Sequence, residues 1–307
     1  MHQHKNFFYS HGKILLTGEY FILRGACGLA LPTIKGQSLT ILKNNLSSVL
    51  HWKCYDEINK PWFEAVFKLP SLDICYETEK KIALKLRDLL LKSKKIQKKF
   101  LPNSLGLYVK TKLEFPINWG LGSSSTLIYN IARWARIDPY MLLGNDFPGS
   151  GYDIACVSNS KPIIYKFNKK KPDIVPINFN PSFKDQLFFL HLNKKQNTCN
   201  GIKFFLSKKN ISSKSIESIS FITKKIPFCK TLEEFEKLLV KHEMIISKIL
   251  NIPTIKETYF PDYLGLVKSL GAWGGDFVLI SSRKGMKNYF YKKGFRTLLS
   301  FEEMILL

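Results

Sequence analysis

Between Pro116 and Thr126 the chain reads Pro-Ile-Asn-Trp-Gly-Leu-Gly-Ser-Ser-Ser-Thr, and the apolar periodicity changes across that stretch. Upstream, Leu105, Leu107, Val109, Leu113 and Phe115 follow a period of two, whereas downstream Leu127, Ile128, Ile131, Ala132 and Ala135 recur at helical spacing. A strand is therefore expected to pass through a glycine loop into the first turn of a helix. Gly120 and Gly122 allow backbone angles closed to other residues and, lacking side chains, let a ligand approach main-chain N–H groups. The first helical turn adds unpaired donors and the positive end of the helix dipole, and Ser123, Ser124 and Ser125 add hydroxyls. Such a loop suits a nucleotide polyphosphate. It also suits a plain glycine turn followed by a serine cap, which needs no ligand. Neither Gly-x-x-x-x-Gly-Lys-Ser/Thr nor Gly-x-Gly-x-x-Gly occurs here, which disfavours the P-loop and Rossmann readings.

Three further segments share this glycine punctuation. Near the start, Gly12 to Pro32 reads Gly-Lys-Ile-Leu-Leu-Thr-Gly-Glu-Tyr-Phe-Ile-Leu-Arg-Gly-Ala-Cys-Gly-Leu-Ala-Leu-Pro, with Ile14 to Leu16 a buried strand bracketed by Lys13 and Glu19. Such charges are ordinarily the solvated ends of a strand. Past the central helix, Gly149-Ser-Gly-Tyr-Asp-Ile-Ala155 makes a tight bend that presents Asp153, which could simply cap backbone. Toward the end, Lys268-Ser-Leu-Gly-Ala-Trp-Gly-Gly-Asp-Phe277 precedes a short apolar strand, Val278 to Ile280.

Taken in order, these segments resemble the motifs of the GHMP kinases, the superfamily of galactokinase, homoserine kinase, mevalonate kinase and phosphomevalonate kinase. The central loop matches every fixed position of Pro-x-x-x-Gly-Leu-Gly-Ser-Ser-Ala/Ser. The first segment resembles Lys-x-x-Leu-x-Gly-Glu-His/Tyr, the bend resembles the Gly-Ser-Gly-x-Asp-x-Ala of mevalonate and phosphomevalonate kinases, and the last segment resembles Lys-x-Thr-Gly-Ala-Gly-x-Gly-Gly. The resemblance runs from Lys13 to Ile280 and is nearest to phosphomevalonate kinase and a Gly-Tyr-Asp-Ile-Ala subgroup. It implies an α+β fold of two domains: a ribosomal-protein-S5-like nucleotide-binding domain over residues 1–165, and a ferredoxin-like domain over residues 166–307 that closes the substrate cleft. It further implies that Pro116, Gly120, Leu121, Gly122, Ser123, Ser124 and Ser125 hold ATP and that Ser124 ligates Mg2+. Lys13 and Asp153 would be catalytic, while Glu19, Gly271, Ala272, Gly274 and Gly275 would lie against a small-molecule acceptor. Mevalonate or phosphomevalonate is the expected acceptor. A diphosphomevalonate decarboxylase of the same superfamily, or an RNA-binding or structural module of the S5-like type, are the alternatives.

The departures from the motifs are specific. Trp273 stands in place of the middle glycine of the last motif and Leu270 in place of its threonine; Trp273 is expected to pack in the core or line a pocket rather than stack on a nucleotide. The acidic metal ligand that mevalonate kinases hold upstream of the catalytic aspartate is Leu142 here, and Asp146 is the nearest carboxylate that could replace it.

Composition adds exclusions. Among 307 residues, 45% hydrophobic content is that of a folded globular chain. No apolar run approaches the ~18 residues of a membrane span, and the first residues lack a signal-peptide core, so a cytoplasmic protein without membrane partners is expected. Six cysteines without a Cys-x-x-Cys pair read as reduced, mostly buried thiols. The net charge of +23 is spread over faces and loops without interleaved aromatics, so no specific nucleic-acid partner is expected. Oligomeric state is left open. Elsewhere the patterns predict strands over Ser38–Leu69 with Trp52 and Trp62 packed, a helix over Glu79–Lys92, a strand over Leu187–Leu192, and a polar turn at Lys194–Cys199. A polar spacer over Ser207–Ser220 is followed by a capping box at Thr231–Glu234 opening an amphipathic helix, on which His242 is a hydrogen-bonded core histidine.

Overall fold

The computed structural model describes residues 6–44, 48–101, 106–144, 149–168, 171–194, 198–208, 211–271, 273 and 275–307. The chain divides into two compact units, one made of 1–12, 35–117 and 122–147, the other of 13–34, 118–121 and 148–307. Two long strands, β1 (Asn6–Thr17) and β2 (Cys27–Asn44), each pass from one unit to the other.

In the first unit, β2 is followed by β3 (Val49–Tyr55), β4 (Pro61–Lys68), β5 (Ile74–Glu77), helix α1 (Lys80–Ile96), β6 (Gly106–Leu113), α2 (Ser123–Ala135) and the short α3 (Tyr140–Leu143). The sheet order is β5-β4-β3-β6-β2, antiparallel except for β3 beside β6. A parallel pair needs a long crossover, and the segment from β4 through α1 supplies it. Strand alternation puts Leu50, Trp52 and Cys54 of β3 and Leu107 and Val109 of β6 on one face, where Ala83, Leu86 and Leu90 of α1 and Ile131, Ala132 and Ala135 of α2 cover them. Trp52 is fully buried there and Trp62 packs against the same core, as expected. Polar ties fix α2 to β2: Thr126 donates to the Gln37 side chain at 2.7 Å, and Asn130 donates to the Gln37 carbonyl at 3.0 Å.

The second unit continues with α4 (Tyr152–Val157), β7 (Ile163–Lys166), β8 (Asp173–Pro176), β9 (Leu187–His191), α5 (Thr198–Ser207), α6 (Ser213–Lys225), α7 (Leu232–Leu250), α8 (Ile255–Tyr259), β10 (Val267–Ser269), β11 (Phe277–Ser281), α9 (Met286–Lys292), β12 (Leu298–Ser300) and α10 (Phe301–Met304). The early part of β2 pairs with β7, and β7 with β8, while β10-β11-β9-β12 form a separate four-stranded antiparallel sheet. Thr33 bridges to Ile305, so the far end of the chain lies on β2.

The expected spacer over Ser207–Ser220 is corrected: most of it is α6. Ser212 caps that helix by accepting from the Ser215 N–H, and Ile219, Ile222 and Thr223 make a buried stripe that the serines and lysines around them obscure in sequence. The expected turn at Lys194–Cys199 lies partly outside the described residues, and its last two residues begin α5. The capping box is half as expected. Thr231 accepts from the Glu234 N–H, but the Glu234 carboxylate returns to the N–H of Lys230 rather than of Thr231. Four cysteines are buried and Cys75 exposed among the five free thiols described. No described helix is long and apolar enough to cross a membrane.

Candidate active site

Strand β1 and the start of α4 bring two of the expected residues together within the second unit. The Lys13 ammonium lies 3.1 Å from Asp153 Oδ1 and donates to the Tyr152 hydroxyl at 3.1 Å. Asp153 therefore pairs with a cation instead of merely capping its turn. Burial works against the Lys13 charge, but attraction to Tyr152 and Asp153 outweighs it and raises its pKa. Tyr152, on which the sequence patterns are silent, has its phenol ionisation pushed up by burial and then by Asp153.

The residues leading into α2 are fastened beside this strand. The Trp119 ring sits edge-on to Phe277 at 5.3 Å, Gly120 adjoins the Asp276 side chain, and the Leu121 carbonyl accepts from the Lys13 N–H at 2.9 Å. At Gly120 a Cβ would collide with the Asp276 carboxylate, and φ is +67°, so this position needs glycine on both counts. Asp276 at this spot had no signal in the sequence beyond its place after two glycines. The chain then enters α2 at Gly122, which has φ 89°, and no side chain caps the first turn. The serine-cap alternative is thus not what forms. Ser123, Ser124 and Ser125 stand in the first turn with its N–H groups left for water or a ligand, and Ser124 is exposed. Pro116 precedes the loop, one residue after Phe115, which is buried.

Glu19 has a different setting. Its carboxylate is fully buried, 2.5 Å from the ammonium of Lys268, which also reaches Glu243 at 3.1 Å. His242 accepts from the Gly18 N–H through Nε2 at 2.9 Å, so it is the core histidine expected, and burial holds its pKa well below the ordinary value. One ammonium faces two carboxylates there. Burial pushes Glu19 up to about 7 and raises Glu243, despite Lys268. The first and last motif segments are thereby tied to each other and to α7.

In the last motif segment, Gly271 (φ +65°) and Gly275 are described, while Ala272 and Gly274 lie outside the described residues, as does Asp146. Trp273 is buried with Phe21, Ala26, Phe205, Ile219, Ile246 and Leu250, and its backbone N–H donates to the Tyr20 hydroxyl at 3.1 Å. That is the packing role expected of it. Leu142 is buried in the core of the first unit.

No family model matches the sequence, and no curated protein matches it significantly. Solved structures do match its fold. The Streptococcus pneumoniae phosphomevalonate kinase in complex with phosphomevalonate and AMPPNP superposes with a TM-score of 0.71 at 14% identity, over 96% of this chain and 99% of that one. The Methanococcus jannaschii mevalonate kinase gives 0.67 at 16% identity over 95% of both chains. This is the GHMP kinase fold. A third example of the fold, the Lactococcus lactis galactokinase complexed with galactose, gives 0.61 at 14% identity over 94% and 88%. Among the described residues no group of three or more His, Cys, Asp or Glu could hold a metal ion.

Proposed function

We propose that the protein is a kinase that transfers the terminal phosphoryl group of ATP to a hydroxyl or phosphate oxygen of a small metabolite, an isoprenoid precursor such as mevalonate or phosphomevalonate. The observation that carries this reading is the partly buried pair of Lys13 and Asp153, 3.1 Å apart, on the two segments whose motifs resemble those of such kinases. Phosphoryl transfer asks a protein for positioning and charge neutralisation rather than covalent chemistry. Asp153 orients or deprotonates the acceptor, and Lys13 meets the charge that develops on the transferred group. The loop from Pro116 through Gly120, Leu121, Gly122, Ser123, Ser124 and Ser125 holds the ATP phosphates, with the Ser124 hydroxyl toward the Mg2+ that ATP brings. Gly271, Ala272, Gly274 and Gly275 offer backbone to the acceptor. Glu19 serves the same side through the turn it holds, since its carboxylate is buried against Lys268. An acceptor that already bears a phosphate needs less of a base, because its oxygen is ionised. A cytoplasmic location goes with this reading.

The test is incubation with Mg-ATP and a panel of mevalonate, phosphomevalonate, diphosphomevalonate, galactose and homoserine, read by ADP release and phosphorylated product. Turnover with a mevalonate-type acceptor is expected. Carbon dioxide and phosphate released from diphosphomevalonate would turn the reading to a decarboxylase. Salt-sensitive RNA binding with no ATP turnover on any acceptor would replace it with a binding module.

A further inference from the structure

We propose that Tyr152 is a positioning residue of this site: its phenol keeps the Lys13 ammonium in place when the Asp153 carboxylate turns to an acceptor. The kinetic consequence rests on the kinase reading above; the geometry does not. Tyr152 and Asp153 are neighbours on α4, and adjacent helical side chains diverge by about 100°. Both nevertheless meet the same Lys13 Nζ, each at 3.1 Å, which places the ammonium in the fork between them.

An ammonium has three N–H groups. Two go to Tyr152 and Asp153, leaving one for a phosphoryl oxygen. Burial makes this cation dependent on its partners, so a carboxylate that shifts its hydrogen bonding toward an acceptor hydroxyl would let the ammonium drift unless something else held it. The phenol oxygen meets that need. It is neutral and does not compete with Asp153 for the acceptor proton. Its side chain packs against the buried cluster that includes Leu15, Ala155 and Tyr165, so the oxygen is carried on a fixed support.

Tyr152→Phe retains the ring and its packing and removes one oxygen, so folding is expected to survive. Two measurements decide the matter. In steady-state kinetics kcat should fall roughly tenfold with the KM for ATP unchanged, the scale of one hydrogen bond to a charged group. In a Lys13→Met background the same substitution should cost nothing further, because the hydroxyl acts through the ammonium. In lysine-15N-labelled protein, the ammonium signal that Lys13→Met removes should shift and exchange faster with water in Tyr152→Phe. A wild-type kcat in Tyr152→Phe, an equal loss in the Lys13→Met background, or an ammonium signal that is unaltered would overturn the proposal. If the unsubstituted protein turns over no acceptor, the kinase reading fails separately, and the ammonium signal still decides the role of Tyr152.

Discussion

A carboxylate 3.1 Å from an ammonium is anchored by that cation while its other oxygen stays open to an acceptor. Asp153→Asn keeps shape and hydrogen bonding while removing charge and basicity, so turnover on a hydroxyl acceptor should drop by about 10²–10⁴-fold while ATP affinity, measured by titration calorimetry, changes little. Asparagine serves a turn as well as aspartate does. Near-normal ADP release by this variant would therefore reduce Asp153 to a turn residue. At this scale the sequence is legible where glycines frame a charge, as around Lys13 and Asp153. It is mute about Tyr152, because an aromatic beside a turn carries no pattern, and about Glu243, which reads as one more polar position of an amphipathic helix. The partner of Glu19 lies 249 residues away, and no local spacing announces a bond of that span.

Helix α2 is positioned by an uncapped glycine entry and by a polar anchor to β2 through Thr126 and Asn130. Gly122→Val puts a β-branched side chain at φ 89°, where only glycine is at ease, and fills the space above the first-turn N–H groups. ATP affinity should fall at least tenfold, a loss of roughly the ~1.4 kcal/mol that one decade represents, while far-ultraviolet circular dichroism is retained. Intact affinity in a folded variant would remove the loop from the nucleotide site. For α5, α6 and α7 the sensitive residue is Trp273, which packs between them and the turn carrying Phe21. Trp273→Ala should cost about 3–5 kcal/mol of stability in urea unfolding, the usual penalty for emptying a large aromatic site; a change below about 1 kcal/mol would place the indole outside the core. The elements of the α+β fold were legible wherever a two- or 3.6-residue period stood clear, as in β3, β6, α1 and α7. Helix α6 was not, since its apolar stripe of Ile219, Ile222 and Thr223 is diluted by serine and lysine, and only burial against α7 and its neighbours selects it.

For the molecule as a whole, the buried group of Glu19, Glu243, Lys268 and His242 links stability to pH. Glu19 has a pKa raised from about 4.5 to about 7, so the folded state holds a proton there that the unfolded chain releases. Its contribution is full below pH 4.5 and is lost as pH rises through about 7, by up to roughly 3 kcal/mol. His242 works in the opposite sense, because its lowered pKa means that stability is lost as pH falls below its unfolded value near 6.5. In Glu19→Gln, Lys268 keeps Glu243 as a partner, and the substituted side chain imitates the protonated acid. The variant should therefore gain on the wild type between pH 5 and pH 7.5 in urea midpoint, and an equal gap at both values would refute the assignment. The same group has a consequence for biogenesis. Gly18 and Glu19 take their partners from residues 224 and 249 positions downstream, so in a nascent chain the turn after the Lys13 strand lacks those partners until that late sequence has left the ribosome. Closing such distant contacts is slow. Until it happens the early segment carries the Glu19 carboxylate without its cation, and an incompletely partnered chain is the state open to misassembly.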